Sequence, residues 1–267
     1  MEYISMVLSA LSYVRLRGGS NIDFSKRIYR VEDLLSGRIE YTLFSQKRID
    51  FLNSVIDEND KIRKYRILSY EETSKGMGAY AFLMDTNDII FAYRGTELFD
   101  YRDIVTDFKI GIGSNPKSIG QFKNAIDFAE KTLSRYAFII GDNVYFTGHS
   151  LGGGLASYVA LSLAFEYNVA CITFNGVGVA HSKVSKLDCK LKNTIVDIAF
   201  FDDLIGAFGE EVGTQIYIKE GKRILKNFSK HSITHFFDYI FYDRILYRNK
   251  KGDIVRFIYE IDKNCLY

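Results

Sequence analysis

Val144-Tyr145-Phe146-Thr147-Gly148-His149-Ser150-Leu151-Gly152-Gly153-Gly154-Leu155-Ala156 is the stretch on which the fold of this chain turns. Its first three residues form a short apolar and aromatic run that suits a strand, and a helix-like run opens at Leu151. Between them lies a Gly-x-Ser-x-Gly pentapeptide, Gly148 to Gly152. To lift a hydroxyl above the edge of a sheet, the chain must pass from strand to helix in one tight turn, with Ser150 in a strained backbone conformation. Glycines two residues either side remove the Cβ atoms that would collide. A glycine-rich helix start packed closely on a strand gives the same string, so the flanking strand and helix are what mark Ser150 as a nucleophile.

Working outward, strand 143–147, helix 151–166 and strand 170–175 make a strand-helix-strand unit, which implies a parallel sheet with helices on its faces. Upstream, Ala79 to Met84 and Ile89 to Tyr93 flank the turn-forming Asp85-Thr86-Asn87-Asp88 and read as a hairpin. A helix is expected from Ser118 to Arg135, because Phe122, Ile126, Ala129 and Leu133 share one face while Lys123, Asp127, Glu130 and Lys131 share another. Pro116, the single proline, falls just before it. Residues 1–72 read as mostly helical, with Leu8, Leu11 and Val14, then Phe51, Leu52, Val55 and Ile56, at helical spacing. Downstream we expect a strand from Thr194 to Phe200, a hairpin around Glu220-Gly221, a helix from Ser232 to Tyr242, and a final hairpin over 244–261 turning at Lys250-Lys251-Gly252. The fold class is therefore α/β, a mostly parallel central sheet with helices on both faces and an N-terminal helical cover. With 267 residues and no compositional break, one domain is expected over 1–267, with the cover at 1–72, the core at 79–240 and the C-terminal hairpin at 244–261.

A formal charge of +2 argues against a nucleic-acid binder. The charge is uneven, however: Lys219 to Lys251 holds nine Lys or Arg against three Asp or Glu, a solvated face or a patch that meets anionic lipid head groups. Three cysteines, Cys171, Cys189 and Cys265, show no zinc or disulfide spacing, so a reducing compartment and no metal or other cofactor are expected. The opening Met1-Glu2-Tyr3-Ile4-Ser5-Met6-Val7-Leu8 carries an acid where a secretory signal needs basic residues. The expected location is cytoplasmic, or exported by a route that does not read a conventional leader. No run of eighteen apolar residues is present to span a membrane.

A serine hydroxyl is a poor nucleophile at neutral pH and needs an imidazole to take its proton and a carboxylate to orient that imidazole. Of the four histidines, His149 adjoins the nucleophile with its side chain diverging, and His181 comes too early for the order serine, acid, histidine. His231 and His235 remain, and a separation of four on a helix does not choose between them. For the acid, Asp202 and Asp203 stand where the strand ending at Phe200 stops, and carboxyl ends of parallel strands are where active sites gather. The developing oxyanion needs donors. Leu151 offers a backbone N–H, and Thr96, in Tyr93-Arg94-Gly95-Thr96, offers an N–H and a hydroxyl.

Taken together, Tyr93-Arg94-Gly95-Thr96, Tyr101 to Asp107 and Gly148 to Ala156 resemble the class 3 (fungal-type) lipase family of α/β-hydrolases over roughly residues 79–240. The resemblance implies Ser150 as nucleophile, Thr96 in the oxyanion hole, and a short lid at Glu97 to Ile104. It favours Asp203 as acid, because Asp203-Leu204-Ile205 carries the family spacing, and His231 as base, because His231-Ser232-Ile233 has the His-Ser-aliphatic form of some bacterial relatives; His235 stays an alternative. Many relatives carry a Trp after Arg-Gly-Thr where this chain offers Tyr101. The first 72 residues match the lipase core poorly, though Ser9-Ala10-Leu11-Ser12-Tyr13 looks like the opening of bacterial lipase-like proteins, in a segment suited to shaping an acyl pocket. The function expected is a serine ester hydrolase acting on lipid or other acyl esters, of triacylglycerol lipase or phospholipase type, with peripheral contact to membrane lipid. Thioester or peptide substrates on the same fold, or an inert lipase-like binding module, are the alternatives at this stage.

Overall fold

The computed structural model describes residues 1–74, 76–95, 116–178, 194–201, 203, 212–220, 231–238 and 255–261. The chain opens with helix α1 (Glu2–Leu11) and continues through strand β1 (Tyr29–Arg30) and helices α2 (Val31–Leu35) and α3 (Gln46–Val55). Strands β2 (Arg66–Glu72), β3 (Gly78–Leu83) and β4 (Ile89–Arg94) follow, then helix α4 (Pro116–Tyr136), strand β5 (Asn143–His149), helix α5 (Leu151–Leu163) and strand β6 (Asn168–Phe174). Strands β7 (Ile195–Phe200), β8 (Thr214–Glu220) and β9 (Val255–Ile261) complete the set. Among the described residues these make one nine-stranded sheet in sequential order, with β4 to β8 parallel and the outer pairings antiparallel.

That order has a consequence for layering. Right-handed crossovers that all step in the same direction lay their helices on the same face of a sheet, and α4 and α5 do share one face. Phe91 and Tyr93 of β4 and Val144 and Phe146 of β5 pack there against Phe128, Ala129, Leu155 and Val159. The opposite face needs separate cover, and the N-terminal helices supply it: Met6, Val7, Leu8 and Leu11 of α1 join Tyr80, Phe82, Ile90 and Ala92 in a second core. Alternation along β4 and β5 sorts the side chains between these layers, which places Thr147 and His149 on the α1 side. Thr147 accordingly donates its hydroxyl to the Ser5 carbonyl at 3.1 Å. Burying the five large apolar side chains Ile4, Met6, Val7, Leu8 and Leu11 contributes roughly 10 kcal/mol as an upper figure, at about 2 kcal/mol each.

The β3–β4 hairpin turns where its sequence asks, with Asn87 at φ 64° and the Met84 N–H donating to the Asp88 carbonyl at 2.9 Å. Several elements differ from expectation. Pro116 is the first residue of α4, not a residue before it, because its missing N–H would have no intrahelical partner there. Arg66 to Glu72, within the stretch read as helical, is a strand that joins the sheet beside β3. The expected helix from Ser232 is a short 3-10 segment, Ile233–Asp238, held by the buried Ile233, Phe236 and Phe237; residues 239–242 lie outside the described residues. Both edges of β8 are taken, by β7 and by β9, which lies antiparallel to it with Glu220 opposite Val255, so β8 does not form the expected hairpin at Glu220-Gly221; the partner strand of the final hairpin lies outside the described residues. The turn at Lys250 to Gly252 lies outside the described residues.

Candidate active site

Ser150 sits at the junction of β5 and α5 with φ 59° and ψ −128°, a conformation costly to any residue with a Cβ. The flanking glycines make it attainable. A Cβ on Gly148 would fall onto the backbone carbonyl of Gly152, and one on Gly152 onto the carbonyl of Tyr93 in β4. The strained turn is anchored by its own backbone: the Ser150 N–H donates to Phe174 O at 3.1 Å, while the Ser150 carbonyl accepts from Gly153 N at 2.9 Å and Val177 N at 3.2 Å. Leu151 is the first residue of α5, where a helix leaves its N–H groups without intrahelical partners. Its N–H is thus available beside the hydroxyl.

Beyond the end of β7, Asp203 closes a turn by donating its N–H to Phe200 O at 2.9 Å. Its Oδ2 lies 2.8 Å from Nδ1 of His231, with both side chains nearly inaccessible. A carboxylate only accepts, so Nδ1 carries a proton, and in the neutral ring Nε2 is the atom left to accept one. That Nε2 and the Ser150 hydroxyl are both buried, and neither has a hydrogen-bond partner. Two buried groups with complementary roles as proton donor and acceptor are thereby left uncommitted, which is unusual outside functional sites.

His235 is elsewhere. Its ring packs on Phe200 at 4.9 Å between centroids, and the 3-10 geometry after His231 removes the shared helix face expected for the two histidines. His149 is engaged at both ring nitrogens: Nδ1 is 2.8 Å from the Tyr13 hydroxyl, and Nε2 meets the main-chain oxygen of His231. Burial foremost, with the neighbouring His231 adding to it, holds the His149 ring well below the ordinary imidazole range, so it is neutral. Cys171 is buried among apolar side chains, which pushes its thiol up and leaves it inert as a nucleophile. Thr96, Asp202, His181, Tyr101 and the whole of Glu97 to Ile104 lie outside the described residues.

The approach to Thr96 is described. A Cβ on Gly95 would stand 2.6 Å from the Tyr13 hydroxyl and 3.3 Å from Ser150 Cβ, so the chain leaving β4 runs against the nucleophile. Arg94 fixes that exit. Its side chain crosses over Gly78, where a Cβ would lie 2.7 Å from the guanidinium carbon, and donates from Nη2 to Glu72 Oε1 at 2.9 Å. Glu72 also accepts from the Tyr70 hydroxyl at 2.8 Å and pairs with Arg15 at 3.4 Å. Burial raises the Glu72 carboxyl, but the Arg94 charge and these hydrogen bonds outweigh it and hold the group below the usual carboxylate range. Sequence reasoning did not reach the Tyr13–His149 contact or the Arg94–Glu72 pair, whose partners are 136 and 22 residues apart.

Among the described residues no group of three or more His, Cys, Asp or Glu is placed to hold a metal ion, and no helix is long and apolar enough to cross a membrane. A family profile described as phospholipase-like, Tle-like phospholipase domain, matches residues 53–195. That span contains Ser150 and stops before Asp203 and His231. No curated protein matches the chain. Among solved structures, lipase II from Rhizopus niveus is similar at 14% identity and a TM-score of 0.50, over 80% of this chain and 78% of that one. A fungal lipase is similar at 12% identity and a TM-score of 0.53, over 84% and 81%. These two likenesses are of fold, an α/β-hydrolase sheet with its covering helices.

Proposed function

We infer the reaction from the family: the chain belongs to the phospholipase-like proteins with a Tle-like phospholipase domain, and it is a serine ester hydrolase of lipase or phospholipase type. We propose that Ser150 is its nucleophile, His231 its general base and Asp203 the group that orients His231. The observation that carries this reading is the uncommitted pair, the Ser150 hydroxyl and His231 Nε2, with His231 already held by Asp203.

In the first half-reaction the Ser150 oxygen attacks the ester carbonyl as its proton passes to His231 Nε2. The oxyanion is met by the Leu151 N–H and by Thr96, toward which Gly95 directs the chain. The proton on Nε2 then goes to the departing alkoxide, which leaves as an alcohol, and the acyl group stays on Ser150. Water repeats the sequence, giving a free fatty acid and the original serine. The substrate we propose is a phospholipid acyl ester, supported by the family and by the basic excess from Lys219 to Lys251, which suits an anionic lipid surface.

Ser150→Ala should abolish fatty-acid release from phospholipid vesicles and labelling by a fluorophosphonate probe while the fold is kept. Undiminished turnover would refute the nucleophile. Equal rates on anionic vesicles, neutral vesicles and a triacylglycerol emulsion, at low and high salt alike, would remove the phospholipid assignment.

A further inference from the structure

Tyr13 and His149 stand outside the three roles just assigned, yet they join the nucleophile to its base. A main-chain carbonyl only accepts, so Nε2 of His149 carries the ring proton and donates it to the His231 oxygen. Nδ1 is then a bare acceptor, and the Tyr13 hydroxyl 2.8 Å away donates to it. His149 is bonded covalently to Ser150, and its ring lies 4.7 Å from that of His231 between centroids. One residue thus touches both reacting partners.

We propose that Tyr13 and His149 are positioning residues that set the spacing between Ser150 and His231, with the turn that follows α1 serving as a fixed post for the active site. The proposal rests on the reading of His231 as the base. His231 is held at two points, its ring by Asp203 and its main chain by His149. Without the second point the ring can pivot about the Asp203 bond, and Nε2 leaves the approach to the Ser150 oxygen. Tyr13 fixes the third link. It is 8% exposed and stands under the Arg48 guanidinium, 5.2 Å from the ring centroid, so its hydroxyl has a defined direction. The post comes from a part of the chain outside the span that the family profile matches.

Displacing a reacting group by about 1 Å lowers a rate by about 100-fold, so partial loss of restraint should be visible in kcat. Tyr13→Phe removes one oxygen from a ring that stays in place. On a soluble short-chain nitrophenyl ester it should lower kcat by about tenfold or more, with KM changed less than about twofold, because the substrate is not touched. His149→Gln, whose amide can still donate to the His231 carbonyl, should keep more activity than His149→Leu. The double variant Tyr13→Phe/His149→Leu should be no slower than His149→Leu alone, as expected for links in one chain.

A folded Tyr13→Phe protein with kcat within about twofold of wild type, beside an inactive Ser150→Ala, overturns the proposal alone. So do additive losses in the double variant, or equal losses in the Gln and Leu proteins. Retained turnover in Ser150→Ala would bring down the base assignment and this proposal with it. Should His149→Leu fail to fold, the single-atom Tyr13→Phe change still decides the matter.

Discussion

Replacing Arg94 with methionine removes a buried guanidinium while keeping most of the side-chain volume, and the structure says what that should cost. Arg94 is 1% exposed in its side chain and Glu72 27%, so the pair is half inside the protein and half at its edge. Removing one partner of a fully buried pair costs about 3–5 kcal/mol. Here Glu72 keeps Tyr70 and Arg15 and some water, which argues for the low side, about 2–3 kcal/mol, close to the value of one or two charge-assisted hydrogen bonds. At about 2–4 °C of Tm per kcal/mol for a chain of this size, the variant should melt roughly 4–12 °C lower at neutral pH. The pH dependence supplies a second check. The Glu72 carboxyl titrates below its unfolded value in the native protein, so the unfolded state binds more protons as the pH falls. Its contribution is fully present above the unfolded carboxylate pKa and is lost as pH drops through the lower native one. The gap between wild type and Arg94→Met should therefore narrow on acidification. Urea unfolding at a series of pH values measures it; a gap under about 0.5 kcal/mol at neutral pH, or one that widens toward acid, would refute the reasoning.

Three further outcomes rest on the same structure. Asp203→Asn should leave stability nearly unchanged while lowering kcat by about 1,000- to 10,000-fold, since a carboxylate is what fixes the His231 tautomer; a loss below tenfold on nitrophenyl esters would argue against its role. Gly148→Ala places a methyl on the Gly152 carbonyl, so the purified protein should be unfolded or unlabelled by a fluorophosphonate probe, and a fully labelled, stable protein would show that the elbow can relax. Phe236→Ala empties a site packed against Phe174 and Phe200 at 5.2 and 4.6 Å, with an expected loss of about 3–5 kcal/mol in denaturant unfolding; a loss under about 1 kcal/mol would contradict its place in the core.

What could be read from the sequence follows the range of the forces involved. The elbow was legible because a steric demand within five residues leaves glycines as its trace. The strand-helix-strand unit and the β3–β4 hairpin were legible for the same reason, since periodicity and turn residues act locally. Arg66 to Glu72 was misjudged as part of a helical region because a short apolar run carries no periodicity that excludes a strand. The pairing of β8 with β9 joins segments far apart along the chain, and no local signal distinguishes it from a hairpin turning at Glu220-Gly221. His231 and His235 were inseparable on a helix; a 3-10 segment and the contact with Asp203 separate them in space. Asp203 was preferred to Asp202 through a resemblance, while Asp202 and Thr96 lie outside the described residues. The Tyr13–His149 contact spans 136 residues, and although Ser9 to Tyr13 stands out by resemblance, nothing local ties it to His149.

The cover formed by α1 has one more effect, on the order in which the molecule can be assembled. Eight of its ten residues are buried, against strands β4, β5 and β6, helix α3 and the 3-10 segment, all of which come later in the chain. On a ribosome α1 emerges long before β5 exists, and Tyr13 waits 136 residues for His149 and longer for His231. Until then a strongly apolar segment has no sheet to rest on, and it closes only when β4, β5 and β6 are in place. Such late, distant closure makes folding slow and exposes a sticky surface during synthesis. Competence for chemistry therefore arrives late in folding, once Tyr13, His149 and His231 have met.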